Sequence, residues 1–188
     1  MENSRECYIL TDMRIIAGRL GGLQFKAPRG HRTHPMSDRV RGALFNSLGN
    51  IEGLSVLDAF AGTGALSFEA ISRGAKKTVS IDIDVKAVKV MQESVIKLRI
   101  ENQCKVVRAN ASSWSSNNKN MLFDIVIAAP PYDNLQPFVI AKLTRHVKSD
   151  GMFLLDWPAS EEPPTLNTMK LIDARKYGNA QIAFYVPV

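Results

Sequence analysis

The chain has 188 residues, 45% of them hydrophobic and 22% charged, with a formal net charge of +6. That apolar content supports a core and excludes a mainly disordered chain. No apolar run reaches the roughly 18 residues of a membrane helix, and no secretory leader pattern opens the sequence. Cys7 and Cys104 are too few for a disulfide framework or a four-ligand zinc site, and they suit a reducing cytoplasm.

The charge is uneven. Arg14, Arg19, Lys26, Arg29, Arg32, Arg39 and Arg41 face only Asp38 between residues 14 and 41, so this segment alone carries +6. Such a cluster is the electrostatic footprint of a polyanion-binding face, although a solvated surface has the same composition.

Residues 1–12 lack a clear period and read as a loose extension. Met13–Ala17 and Leu23–Lys26 predict a hairpin around Gly18, Gly21 and Gly22. Residues 27–36 read as a loop. Ser37 suits a helix N-cap, followed by Val40, Leu44 and Leu48 at four-residue spacing and by Gly49. From residue 50 the pattern alternates. Leu54–Ala59, Thr78–Ile81, Lys105–Arg108, Phe123–Ala128 and Met152–Leu155 predict strands. Ala65–Ser72, Val85–Leu98 and Phe138–Val147 predict helices, and the polar run Ser112–Asn120 predicts a loop. Thr168–Lys176 and Ala180–Val186 predict a closing hairpin. The sum is an α/β chain with a mostly parallel, doubly wound sheet, a C-terminal antiparallel hairpin and a small N-terminal β-hairpin extension. Its expected divisions are 1–12, a basic hairpin, loop and helix over 13–49, and the main domain over 50–188.

Ligands of such sheets bind beyond the carboxyl ends of the strands. The first main strand ends in Asp58-Ala59-Phe60-Ala61-Gly62-Thr63-Gly64. Asp82, with Ile83 beside it, lies 18 residues past Gly64, where a carboxylate can accept ribose hydroxyls. Asn110-Ala111 follows the next strand and can read an adenine edge. These residues admit a dinucleotide or S-adenosylmethionine (SAM), and Ser67 in the third small position fits the dinucleotide fingerprint only in part. His31 and His34 lack partners for a metal, so no metal is expected. Trp114 and Trp157 read as packing residues, and Asp156 as a cap or packing group.

The next strand ends Ala128-Ala129-Pro130-Pro131-Tyr132. An Asp/Asn-Pro-Pro-Tyr run at this strand end marks SAM-dependent methyltransferases that act on exocyclic amines of nucleobases. The chain resembles the RsmD-type bacterial enzymes that methylate N2 of a guanine in 16S ribosomal RNA. The resemblance runs from Met13-Arg14-Ile15-Ile16-Ala17-Gly18 through Pro35-Met36-Ser37-Asp38-Arg39-Val40-Arg41 and Ala43-Leu44-Phe45-Asn46. It continues through Val56–Leu66 and Phe123-Asp124-Ile125 to Lys176-Tyr177-Gly178. It implies a Rossmann-like SAM-methyltransferase fold and a cytoplasmic, monomeric enzyme acting on 16S ribosomal RNA or a small-subunit assembly particle, with guanine 966 as target. It implies cofactor contacts at Asp58, Phe60, Gly62, Gly64, Asp82, Ile83, Asn110 and Ala111, with Asp58 near the methionine amino group or its water. Catalysis falls to Ala129, Pro130, Pro131 and Tyr132, with the Pro130 carbonyl accepting from the amine and Tyr132 stacking on the base. The seven cations named above become the RNA grip. The chain departs from the pattern at Ala129, whose methyl group accepts no hydrogen bond. Either another residue such as Asp133 replaces the acceptor, or the enzyme is weakened, or only SAM and RNA binding persist.

Overall fold

The computed structural model describes residues 10–28 and 36–188. Two antiparallel strands, β1 (Leu10–Arg14) and β2 (Gln24–Pro28), form an N-terminal hairpin. There follow α1 (Asp38–Leu48), β3 (Ser55–Asp58), α2 (Ala65–Ser72), β4 (Lys77–Asp82), α3 (Val85–Lys97), β5 (Cys104–Arg108) and α4 (Ala111–Asn117). The chain ends with β6 (Phe123–Ala128), α5 (Pro137–Leu143), a 3-10 turn at Thr144–His146, β7 (Val147–Pro158), β8 (Met169–Tyr177) and β9 (Ala180–Pro187).

Strands β3 to β9 make one sheet in the order β5-β4-β3-β6-β7-β9-β8. The first five pair in parallel, and β9 runs antiparallel to β7 and β8. Parallel strands need both faces covered, which is why β3 and β6 read as apolar runs. Side chains alternate across the sheet. Leu57, Val126, Ala128, Phe153 and Leu155 face a core with Trp114 and Tyr185, while Val56, Ile127, Leu154 and Ile182 meet Val40, Leu44 and Phe45 of α1.

A third cluster joins Ile15 and Phe25 of the hairpin region to Phe68 of α2 and Met91 of α3. The segment after β1 hangs on the last turn of α2. Arg19 N donates to Ser72 O at 2.8 Å, and Leu20 N to Ser72 Oγ at 2.9 Å. Gly18 has φ +83°, and a Cβ there would stand 2.0 Å from Ser72 O, so only glycine permits the approach.

Several expectations need correction. The boundary at Met13 falls inside β1, which starts at Leu10. Residues 13–49 do not stand apart, because α1 packs into the main core. The polar run after Asn110 is helical over Ala111–Asn117, not a loop. Asn110 caps it, buried Trp114 anchors it, and His146 Nε2 shares a 2.8 Å hydrogen bond with Ser115 Oγ. Tertiary contacts thus override the weak helix propensity of serine and asparagine. The last main helix stops at Leu143, and β7 is three times as long as the strand expected at Met152–Leu155. A register shift against β6 admits Lys148–Gly151, and Lys148 Nζ reaches Asp124 at 2.7 Å. No helix among the described residues is long and apolar enough to cross a membrane.

Candidate active site

Strand order reverses between β3 and β6, and the crevice at their carboxyl ends is where such sheets hold ligands. Leaving β3, the chain is tied to both neighbours: Ala59 N donates to Ile127 O at 3.0 Å and Ala61 N to Ile81 O at 2.8 Å. Gly64 N closes the turn on Ala61 O at 2.7 Å. Gly64 has φ +81°, and a Cβ there would meet Phe68 at 2.7 Å and Met91 at 2.8 Å. This glycine therefore lets the turn sit directly on α2 and α3; it shapes the floor and does not line the cavity.

Asp58 lies beneath the turn and is wholly buried. Its Oδ2 accepts from Ser67 Oγ at 2.9 Å, Ser67 Oγ in turn accepts from Ser80 Oγ at 2.7 Å, and Oδ1 has no hydrogen-bond partner among the described residues. Burial pushes its pKa up to about 7, against the Ser67 hydrogen bond and with the Asp82 charge adding to the rise. Asp58 is not among the residues that border the cavity and supports the turn from below.

Asp82 ends β4. Its two oxygens accept from Gly62 N at 2.7 Å and Asp84 N at 2.8 Å. A carboxylate has about four lone-pair sites, so acceptor capacity remains for ribose hydroxyls. Ile83 beside it is an exposed apolar side chain. The Asn110 side-chain oxygen caps α4 through Ser112 N at 2.9 Å and Ser113 N at 3.2 Å, which leaves only its amide hydrogens for an adenine edge. Ala111, in the first turn of α4, is buried.

Across the crevice, β6 runs into Ala129-Pro130-Pro131-Tyr132, and Asn134 N closes the corner on Pro131 O at 2.8 Å. Tyr132 is exposed. Its Oη donates to Asp156 Oδ1 at 2.6 Å and lies 3.3 Å from Trp157 O, which fixes the ring to the end of β7. Burial pushes the Asp156 pKa up to about 6, against the Tyr132 hydrogen bond. The glycine turn and the proline corner line one cavity of about 580 Å³, a size usual for small-molecule sites. Phe60, Gly62, Ala129, Pro130, Pro131 and Tyr132 all border it, whereas Asp58, Gly64, Asp82, Ile83, Asn110 and Ala111 do not. The remaining acceptor capacity of Asp82 suits a ribose, and the aromatic wall of Phe60 and Tyr132 suits a cationic sulfonium group, so the residues present fit SAM. Among the described residues no cluster of histidine, cysteine or acid is arranged to hold a metal.

Ser37, Val40, Asn179 and Ala180 also border the cavity, although the sequence reads Ser37 and Val40 only as a helix cap and helix face and assigns Asn179 and Ala180 no place in a site. The start of α1 and the β8–β9 turn bring them there by tertiary folding, and no local pattern signals it. Met36 and Tyr177 border it too; both were visible only inside longer matched stretches.

The basic segment divides. Arg41 is wholly buried and is removed from the RNA-contacting set: its Nη2 donates to Arg14 O at 2.7 Å and to Asp38 Oδ1 at 2.9 Å. Arg14 pairs with Asp38 at 2.7 Å and Lys26 with Asp12 at 2.7 Å, Arg19 donates to Gln103, and Arg39 is exposed. Arg29 and Arg32, with His31 and His34, lie outside the described residues.

A glycine turn and a proline corner facing each other across the switch point of this sheet define a methyltransferase of the Rossmann-like class. The family model described as "Conserved hypothetical protein 95" matches residues 13–186. The chain belongs to that family, the RsmD-type methyltransferases. It is 28% identical over 180 residues to the "Putative rRNA methyltransferase YlbH" of Bacillus subtilis, covering 92% of this chain and 98% of that protein. It is 36% identical over 121 residues to ribosomal RNA small subunit methyltransferase D of Escherichia coli; that match spans 64% of this chain and 60% of that protein, less than two thirds of its length. Among solved structures, the "Putative methyltransferase yhhF from Escherichia coli" superposes with a TM-score of 0.84 at 28% identity, over 94% of this chain and 98% of that one.

Proposed function

We propose that this chain transfers a methyl group from SAM to the exocyclic N2 of a guanine in 16S ribosomal RNA. The observation that carries the reading is the shared cavity: the glycine turn after β3 and the Pro130-Pro131-Tyr132 corner after β6 border one space. The names of the relatives support the RNA substrate.

SAM supplies an electrophilic methyl group on a positively charged sulfur. Asp82 takes the ribose hydroxyls, Ile83 covers one side of the adenine, and Phe60 and Gly62 form the wall beside the reacting end. The guanine N2 lone pair is delocalised into the ring and attacks poorly. Orientation and acceptors for the growing positive charge on nitrogen are therefore what the protein must contribute. The Pro130 carbonyl accepts one N–H of the amine, held by the stiff Pro-Pro backbone. The Tyr132 ring stacks on the base taken out of its helix. Arg14, Arg19, Lys26 and Arg39 contact phosphates, which positions the RNA without reading sequence.

The test is incubation with methyl-labelled SAM and either naked 16S ribosomal RNA or small-subunit particles, followed by digestion to nucleosides. The expected product is N2-methylguanosine, at the position homologous to guanine 966. Label on any other atom, or none with either substrate, overturns the reading.

A further inference from the structure

The register of β6 and β7 addresses the gap at Ala129. The two strands are parallel and pair Ala128 with Leu155; one residue further on, Ala129 lies just past the end of β6 and Asp156 is still within β7. Neighbouring strands are about 4.8 Å apart. Ala128 and Leu155 both point into the Trp114 core, so by alternation Ala129 and Asp156 share the opposite face. Both border the cavity. Asp156 Oδ1 is occupied by Tyr132 Oη, and Oδ2 makes no hydrogen bond within the described residues.

Resting on the function proposed above, we infer that Asp156 supplies, from the adjacent strand, the carboxylate that Ala129 lacks: its Oδ2 accepts a hydrogen bond from the guanine N2 amine during methyl transfer. The N2 lone pair forms the bond to the methyl carbon while the carbon–sulfur bond breaks, leaving its electron pair on sulfur. N2 then carries the positive charge and sheds one proton to Oδ2, from which it passes to solvent. Asp133 is the weaker substitute, because it is exposed beyond the corner and belongs to no strand.

The experiment compares the single-turnover rates of the wild-type chain, Asp156→Asn, Asp133→Asn, Tyr132→Phe and the double variant Asp156→Asn/Ala129→Asp. All use labelled SAM and small-subunit particles, with SAM affinity by calorimetry and the methylated nucleoside identified. Asp156→Asn keeps the shape and an acceptor for Tyr132, so folding is preserved and SAM affinity stays within threefold. Its rate falls about 100-fold, the scale of one lost electrostatic contact. Asp133→Asn stays within threefold and Tyr132→Phe within tenfold of wild type, and Ala129→Asp in the Asp156→Asn background recovers at least tenfold. N2-methylguanosine formed by Asp156→Asn at an undiminished rate overturns the assignment while leaving the functional reading intact. So does an equal loss in Tyr132→Phe, or no recovery in the double variant. A wild-type product other than N2-methylguanosine overturns the functional reading, and this assignment with it.

Discussion

Arg41 of α1 and Glu69 of α2 lie wholly inside the protein, with Arg41 Nε 3.9 Å from Glu69 Oε2. Glu69 also accepts from Ile16 N at 2.7 Å, Ala17 N at 3.1 Å and Arg73 Nε at 2.7 Å. This buried carboxylate thus ties the basic segment to the main sheet. Removing Glu69 strips several buried donors of their acceptor, and removing Arg41 empties a buried site while Glu69 keeps its pair with Arg73. Glu69→Ala should lose about 3–5 kcal/mol in denaturant unfolding. Arg41→Ala should lose a similar amount, and the double variant clearly less than the sum.

Gly64 is irreplaceable on two counts, its positive φ and the 2.7 Å approach of Phe68. Gly64→Ala should cost about 1–3 kcal/mol in backbone strain alone, and more from repacking around Met91. Thermal unfolding reads the stability. Calorimetry should find SAM binding weakened at least tenfold, because the turn above it shifts.

Stability should peak on the acid side. Asp58 at about 7 and Asp156 at about 6 titrate above their unfolded value near 3.9. Between that value and theirs the folded chain binds more protons than the unfolded one. Their contribution is full below about pH 4 and is lost as pH rises through 6 and 7. Asp124 behaves oppositely. Burial would raise it, but hydrogen bonds from Lys148 and Ser55 prevail and hold it at about 2, so its contribution is lost as pH falls toward that value. Asp58→Asn should flatten the unfolding free energy between about pH 4 and 7, removing up to about 1.4 kcal/mol per pH unit of slope. Asp124→Asn should flatten only the limb below pH 4.

RNA contacts should separate the exposed cations from the buried one. Arg39→Ala should weaken RNA binding at low salt and reduce the slope of log K against log salt by about 1, with SAM affinity unchanged. Arg41→Ala should instead lower the melting temperature, and filter binding at several salt concentrations distinguishes the two.

Periodicity was legible where one element decides its own fate. The expected Ala65–Ser72 helix and Phe123–Ala128 strand match α2 and β6 residue for residue. It failed where distant partners decide. The serine-rich α4 is helical because Trp114 and His146 hold it. Charge counting found the basic segment but had no means of seeing that Arg41 turns inward, since burial of an arginine depends on a carboxylate 28 residues away. Asp156 read as a packing acid because its meaning lies across the sheet, in a register that no single stretch of chain encodes.

The grip of the α2 terminus on residues 17–20 holds that arm by its main-chain atoms, through the side chains of Ser72 and Glu69 and the Ser72 carbonyl. Outward-pointing residues of that arm are therefore under little constraint from its attachment. Drift among them can retune which nucleic acid is held, and how tightly, while the anchoring itself is inherited unchanged.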